Sequence, residues 1–334
     1  MTFLRPAPRV PGARLLSVGA HLPAPVVTSA ETAERLGVTA DWIRERTGIE
    51  QRHIAAPGET VAEMAVSAGA KALAGSGVDP ADVGLVIVAT STVAQQTPAS
   101  ATEVAHRLGL PNPGAFDLGA GCAGFCHAVG LANDAVTAGT TRAVLVIGSE
   151  RLTDFIDPDD RGTAPIFGDG AGAVVIGPAD EPGIGPTVWG SEGANASWII
   201  QQVDWVRAWE AGDLDARPVL HMDGRSVFRW ATTQLAPLAR QACELAGVTT
   251  ADLDAVVLHQ ANIRIVDAVV RALDLKEGVA VARSVTETGN TSAASVPLAL
   301  ARLTELGEAR PGGLALFMGF GAGMSYAGQV VRLP

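Results

Sequence analysis

Three residues with chemistry to offer stand in unusual settings. Cys122 lies in Phe116-Asp117-Leu118-Gly119-Ala120-Gly121-Cys122-Ala123-Gly124-Phe125, among glycines and alanines, ahead of a helical pattern at Ala128, Leu131, Ala132, Ala135 and Val136. Small neighbours let the chain turn tightly and let a substrate come close. The start of a helix favours thiolate, so the setting predicts a poised nucleophile; a buried structural cysteine is the bland alternative. His259 ends the apolar run Val256-Val257-Leu258. α/β folds place ligand chemistry at such strand ends, although a satisfied core histidine fits the local pattern equally. Asn290 sits in the small-residue turn 287–295, where capping a helix would explain it as well.

Together these residues have two chemical readings. In the first, a thioester acylates Cys122, and a malonyl-type thioester loses carbon dioxide to give an enolate. Neutral His259 and the Asn290 amide then donate hydrogen bonds to the oxyanion, worth about 3–4 kcal/mol per donor. Backbone N–H groups at Cys122 and in the turn Gly321-Ala322-Gly323 would form a second oxyanion hole. In the second reading Cys122 is the nucleophile of a hydrolase, His259 its base and Asn290 the group that orients the base. The order Cys…His…Asn fits papain-like enzymes, but their local Cys signature is missing.

The elements that must position these residues read as α/β. Of 334 residues, 48% are hydrophobic and 18% charged, with 38 glycines, enough to bury a large core in two domains or halves. A net charge of -11 argues against a nucleic-acid surface. Three cysteines, Cys122, Cys126 and Cys243, suit neither a disulfide framework nor a four-ligand zinc site, so no metal is expected and the thiols are expected reduced. The N-terminus is broken by prolines and lacks a signal-peptide pattern, and no apolar run is long enough for a membrane span. A cytoplasmic protein without a membrane segment is the expectation.

Apolar strands are expected near 13–20, 82–90, 141–148 and 167–176, with helices opening at Thr39 and over 60–74, after a loose arm at 1–12. The second half repeats the first. "ALAGSGVDPADVGLVIVAT" resembles "ELAGVTTADLDAVVLHQ", with Asp82 and Asp252 170 residues apart. Cys122 and Asn290 are 168 apart, and "FGDGAGAVVIG" echoes the stretch from Phe320 at a shorter offset of 153. A duplication, with halves 1–178 and 179–334, would bring equivalent turns face to face across one pocket. Fully apolar strands alternating with helices predict a largely parallel sheet covered on both sides. The glycine loop 168–173 lacks the lysine of a P-loop and reads as a structural turn.

At this point the chain resembles a known family. "DWIRERTGI" (41–49), "GCAGF" (121–125), "DRGTAPIFGDGAGAVV" (160–175), "HQAN" (259–262), "GNTSAASVPLA" (289–299) and "GFGAG" (319–323) are similar, over nearly the whole chain, to β-ketoacyl-acyl carrier protein synthase III of the thiolase superfamily, in its actinobacterial type. The resemblance implies a thiolase-like five-layered αβαβα sandwich of two duplicated halves, assembled as a homodimer. It implies condensation of an acyl-CoA primer with malonyl-acyl carrier protein, with Cys122, His259 and Asn290 as the triad. Acyl-CoA is then a substrate, and no resident cofactor is implied. A relative that passes the acyl group to another acceptor is the near alternative.

By the same resemblance Trp42 and Arg161 sandwich the CoA adenine and Arg46 meets a phosphate, roles that suit a flat indole and guanidinium. Gly224 and Asn262 line the pantetheine tunnel with Phe228 nearby. Arg225 stands where many relatives carry Asn, and Ala322 where a glycine is common, a change that keeps the backbone N–H. Thr97 and Phe320 are assigned to the primer pocket. Thr97 replaces the Phe of acetyl-selective relatives, which implies room for longer or branched primers. The segment 198–209, with Trp198, Trp205 and Trp209, is expected to shape that pocket, form a lid or pack on a partner subunit. Arg229, Arg264 and Arg271 would form a basic rim for an acidic carrier protein.

Overall fold

The computed structural model describes residues 7–213 and 216–334, so residues 1–6 of the expected N-terminal arm lie outside it, as does the side chain of Trp205. Seven strands precede residue 180: β1 (Gly12–His21), β2 (Val26–Thr28), β3 (Gln51–His53), β4 (Val83–Ala89), β5 (Gly114–Leu118), β6 (Ala143–Arg151) and β7 (Asp169–Ala179). Seven follow: β8 (Val188–Ser191), β9 (Ile199–Gln201), β10 (Leu220–Met222), β11 (Ala255–Leu258), β12 (Ala280–Val281), β13 (Leu314–Gly321) and β14 (Ser325–Arg332). The runs Val86-Ile87-Val88-Ala89 and Val144-Leu145-Val146-Ile147 are buried throughout because helices cover both sheet faces.

Two five-stranded sheets result, ordered β1-β7-β6-β4-β5 and β12-β11-β13-β14-β8. Read from β8, the second sheet repeats the first strand for strand. The sheets are mixed, which corrects the expectation of a largely parallel sheet. β4 runs parallel to β5 and β6, and β11 to β12 and β13, whereas β7 is antiparallel to both its neighbours and β14 to both of its own. The reason lies in the connections. β13 and β14 are joined by the short turn Ala322–Met324, which can only bring the chain straight back.

Helices Gly124–Thr137 and Ser295–Glu305 lie between the sheets and share one apolar cluster with both. Val61–Ser76 and Ser100–Arg107 cover the first sheet; Gly224–Leu245 and Ile263–Leu273 cover the second. The order is therefore αβαβα. Side-chain caps fix the helices that carry candidate site residues: Thr39 accepts from Trp42 N–H, Asp223 from Ser226 N–H and Asn262 from Arg264 N–H. Each such cap is worth about 1 kcal/mol. β9 and β10 form a separate antiparallel pair outside the two main sheets, with β9 in contact with the turn after β13.

Candidate active site

Cys122 lies in the single turn Gly121–Ala123 between β5 and the central helix Gly124–Thr137. Gly121 adopts φ +52°, a left-handed conformation that a side chain would strain. Across the cavity Gly321, at the end of β13, approaches so closely that a Cβ there would stand 2.8 Å from the Cys122 amide nitrogen and 3.2 Å from its sulfur. The backbone of the second half thus reaches the nucleophile because residue 321 has no side chain.

His259 follows β11 directly, and its amide donates to the Met318 carbonyl of β13 at 2.7 Å. Its Nδ1 lies 2.6 Å from Ser295 Oγ, and that oxygen accepts from Gln260 N–H at 3.3 Å. The Ser295 oxygen can accept from the amide and still either donate to or accept from the ring; we assign its hydroxyl proton to Nδ1. The remaining proton of the neutral ring then sits on Nε2. The ring is buried and packs edge-on against Phe320 at 5.1 Å, and burial lowers its pKa to about 3. His259 is a neutral donor, not an imidazolium.

Asn290 is held through its backbone, with its N–H donating to the Ile166 carbonyl (2.9 Å) and its carbonyl accepting from Gly168 N–H (3.0 Å). The glycine loop read as structural therefore docks this turn. The side-chain oxygen accepts from Ser292 N–H at 2.8 Å, which leaves the NH₂ as the free end of the amide. Ser292 makes this bond from a left-handed conformation, φ +49°, uncommon for a residue with a Cβ.

Cys122, His259 and Asn290 line one cavity of about 300 Å³, together with Phe320, Gly321 and Ala322. Its far wall is Ser91, Thr92, Leu152, Phe155, Phe167, and Ile199, Ile200 and Gln201 of β9. The aromatic segment thus contributes its strand to the pocket. Trp198 packs on the outer core cluster, and Trp209 is 71% exposed. Thr97 does not reach this pocket: it is exposed on the loop after β4, and Ser91 and Thr92 from the same loop line the wall instead. The expectation of a poised thiolate also needs correction. Burial pushes the Cys122 thiol up to about 12; the Ser292 hydroxyl opposes this and the nearby Glu150 adds to it. A helix terminus, worth about 0.3–1 kcal/mol, does not offset that desolvation.

A second cavity of about 860 Å³ opens to the surface and shares Met222, Val227, Ala261 and Asn290 with the first. Trp42, Arg46, Arg161, Gly224, Phe228 and Asn262 all line it, as do Arg225, Arg229 and Arg264. The Arg46 guanidinium lies 4.4 Å over the Trp42 ring, and Arg264 5.1 Å over Phe228. Arg161 donates to the Leu36 carbonyl at 3.0 Å and Asn262 to the Arg46 carbonyl at 2.8 Å. Arg271 is not on this rim; it is exposed in the last turn of Ile263–Leu273.

The outer cavity meets the inner one at Asn290, and the inner one holds a thiol and two donors. Models of "3-oxoacyl-[acyl-carrier-protein (ACP)] synthase III" and of its C-terminal part match residues 116–193 and 243–333. Beta-ketoacyl-[acyl-carrier-protein] synthase III 1 of Streptomyces coelicolor is 50% identical, and the synthase III of Streptomyces glaucescens 51%, each covering 100% of both chains. The chain belongs to the β-ketoacyl-acyl carrier protein synthase III family. Its fold agrees: the priming β-ketosynthase of the R1128 polyketide biosynthetic pathway superposes with a TM-score of 0.96 at 48% identity, covering 100% of this chain and 99% of that one. FabH of Pseudomonas aeruginosa gives 0.90 at 36% identity over 97% and 98%.

The residues that sequence reasoning missed are the supports. Ser295 sets the His259 tautomer, Ser292 orients Asn290, and Glu150 lies buried beside both Ser292 and Cys122. One signal was present: Glu150 is a charged residue at the end of the otherwise apolar run Ala143-Val144-Leu145-Val146-Ile147.

Proposed function

We propose that this protein is the priming condensing enzyme its family membership implies. It joins an acyl-CoA primer to malonyl-acyl carrier protein, releasing CoA and carbon dioxide and leaving a 3-oxoacyl thioester on the carrier. One observation carries this reading: His259 Nδ1 is held by Ser295, not by Asn290, and His259 and Asn290 each keep a free donor in the cavity that contains Cys122. A cysteine hydrolase of the Cys–His–Asn kind needs Asn on the histidine and a histidine able to take a proton. Neither condition fits a ring with a pKa near 3 and a serine partner.

The steps follow from that geometry. Acyl-CoA enters along the outer cavity, with its adenine and phosphates among Trp42, Arg161 and Arg46 and its pantetheine past Gly224, Phe228 and Asn262. The Cys122 sulfur attacks the thioester carbonyl, and backbone N–H groups at Cys122 and Ala322 receive the oxyanion. CoA departs and the malonyl thioester takes its place. As its carboxylate leaves as carbon dioxide, charge develops on the thioester oxygen, where His259 Nε2–H and Asn290 Nδ2–H donate to it. The enolate carbon then attacks the acyl carbonyl on Cys122. The apolar walls keep water from the enolate and from the acyl-cysteine.

The halves 1–178 and 179–334 divide this work, the first supplying the nucleophile and the second both donors. Arg229 and Arg264, on the rim of the outer cavity, are offered as the docking points of an acidic carrier protein; Arg271 lies farther off. The homodimer rests on the family resemblance, and β5 supports it as an edge strand with Phe116 41% exposed. No helix among the described residues is long and apolar enough to cross a membrane; the cytoplasmic location is proposed from the sequence alone. The pocket wall of Ile199, Leu152 and Phe155 suits a primer longer than acetyl. The test is incubation with a panel of acyl-CoAs and malonyl-carrier, with products identified by mass. A 3-oxoacyl carrier formed by wild type and not by Cys122→Ala supports the function; free acid from acyl-CoA without carbon dioxide release refutes it.

A further inference from the structure

Glu150 is fully buried next to the nucleophile, and the steps above do not use it. Its carboxylate accepts from Thr92 Oγ1 (2.6 Å), Ser292 Oγ (2.9 Å), Ser91 Oγ (3.0 Å), Ser91 N–H (3.1 Å) and Thr90 Oγ1 (3.3 Å). Among the described residues no cation pairs with it. Arg151, the next residue, turns away to Asp154 at 3.1 Å and to the Glu59 carbonyl. Among the other titratable groups on the elements around it, Asp169 on β7 is held by Ala55 N–H and Thr153. On the helix Val61–Ser76, Glu63 pairs with Arg107 and Lys71 donates to Ala20. Cys122 lies close enough to feel its charge, His259 lines the same cavity as Cys122, and Asp134 lies near the far end of the central helix. Burial shifts Glu150 towards proton uptake against the pull of its hydrogen bonds.

Ser292 connects this carboxylate to the sulfur. Its hydroxyl donates to Glu150 at 2.9 Å, and Ser292 and Cys122 line the same cavity, with the hydroxyl close enough to favour ionisation of the thiol. A half-buried thiol that attacks a thioester needs somewhere to put its proton, and His259 Nδ1 is already occupied by Ser295. We propose that Glu150, acting through Ser292, takes the Cys122 proton when acyl-CoA is attacked. This rests on the reading that Cys122 is acylated.

The balance is as follows. The S–H bond of Cys122 breaks and its proton passes to Ser292 Oγ, while the Ser292 proton moves to Glu150 Oε1. The sulfur lone pair forms the bond to the acyl carbon, and the carbon–sulfur bond to CoA breaks with its electron pair on CoA. Water at the tunnel mouth protonates the departing CoA thiolate. After condensation the expelled Cys122 thiolate recovers the proton from Glu150 through Ser292. The negative charge passes from the carboxylate to the Cys122 sulfur and on to the CoA sulfur, and it leaves the site with CoA.

The test is single-turnover acylation by acyl-CoA, followed by intact mass between pH 5.5 and 9, for wild type, Glu150→Gln and Ser292→Ala. The glutamine keeps the size, and its NH₂ donates to the Ser91 and Ser292 hydroxyls, which can turn to accept. Wild type is expected to reach a rate independent of pH above the titration of Glu150, because the proton is passed internally. Glu150→Gln is expected to lose that plateau, to climb about tenfold per pH unit and to be on the order of 10²-fold slower at pH 7. Ser292→Ala should show the same slope. A variant profile with the wild-type plateau and rate overturns the relay alone. So does a wild-type rate that itself climbs tenfold per unit to pH 9, a result that needs no variant to fold. No adduct on Cys122 in wild type at any pH overturns both the relay and the acylation reading.

Discussion

Ser295→Ala should separate the two half-reactions. The mutation removes the hydroxyl 2.6 Å from His259 Nδ1 and leaves a ring nitrogen buried without its partner. In wild type that hydroxyl fixes the proton on Nε2, where the enolate oxygen needs it. Without it neither tautomer is satisfied at Nδ1, and both become populated. An unsatisfied buried group costs about 1–3 kcal/mol, while loss of one oxyanion donor costs about 3–4 kcal/mol. A ring that keeps the donor tautomer part of the time falls between no loss and full loss. Ser295→Ala should therefore slow decarboxylation roughly 10- to 100-fold, by the rule that about 1.4 kcal/mol is tenfold. Carbon dioxide release from malonyl-carrier reads this step, and mass of the acyl-enzyme reads acylation. The acylation rate should stay within about threefold of wild type, because the Ser295 hydroxyl bonds neither the thiol nor Ser292, and its backbone bond to the Ser292 carbonyl survives in alanine. Unchanged decarboxylation would refute the tautomer argument, and an equal fall in both steps would place Ser295 in general packing instead.

His259→Ala and Asn290→Ala should each spare the acyl-enzyme and lower carbon dioxide release on the order of 10²- to 10³-fold, measured in the same assay. Gly321→Ala places a methyl 2.8 Å from the Cys122 amide nitrogen; it should slow acylation strongly while leaving the thermal midpoint within a few degrees. Arg46→Ala, in the outer cavity, should raise KM for acyl-CoA with little change in the maximal acylation rate. His259 also predicts a pH effect on stability. Its pKa is about 6.5 unfolded and about 3 folded, so below pH 6.5 the unfolded chain gains a proton that the fold refuses, and stability falls with pH. Glu150, raised in the fold, contributes with the opposite sign above its unfolded value near 4.5, so the comparison must be with His259→Gln. Between pH 7.5 and 5, urea unfolding should show wild type losing about 2 kcal/mol relative to that variant.

The candidate residues were legible in combination, not singly: Cys122 among glycines, His259 at the end of an apolar strand and Asn290 in a turn equivalent to that of Cys122 each had an ordinary structural explanation, and the repeat and the family motifs joined them. The duplication was legible as a repeat and reappears as two sheets with matching strand order. Strand direction was not. A strand covered on both faces reads as apolar throughout whether its neighbour is parallel or antiparallel, and only the short turn after β13 decides. The state of the thiol was misjudged for a similar reason, since a sequence displays the helix that follows Cys122 but not the walls that desolvate it. Ser292, Ser295 and Glu150 were hidden because their partners are remote. Ser292 meets a carboxylate 142 residues away, and Ser295 a histidine 36 away. Thr97 lies on the loop that supplies Ser91 and Thr92 to the wall, but within the single chain it is exposed and does not line the pocket.

The central claim is that one cavity hosts two thioesters in succession, the first bound covalently to Cys122 and the second decarboxylated by His259 and Asn290. Acyl-enzyme prepared with acyl-CoA, freed of excess substrate and then mixed with malonyl-carrier tests it in one measurement. The account predicts one carbon dioxide released per acyl group lost from Cys122, with the acyl mass reappearing on the carrier as a 3-oxoacyl thioester. Loss of the acyl group to water, or carbon dioxide release without that transfer, would contradict it.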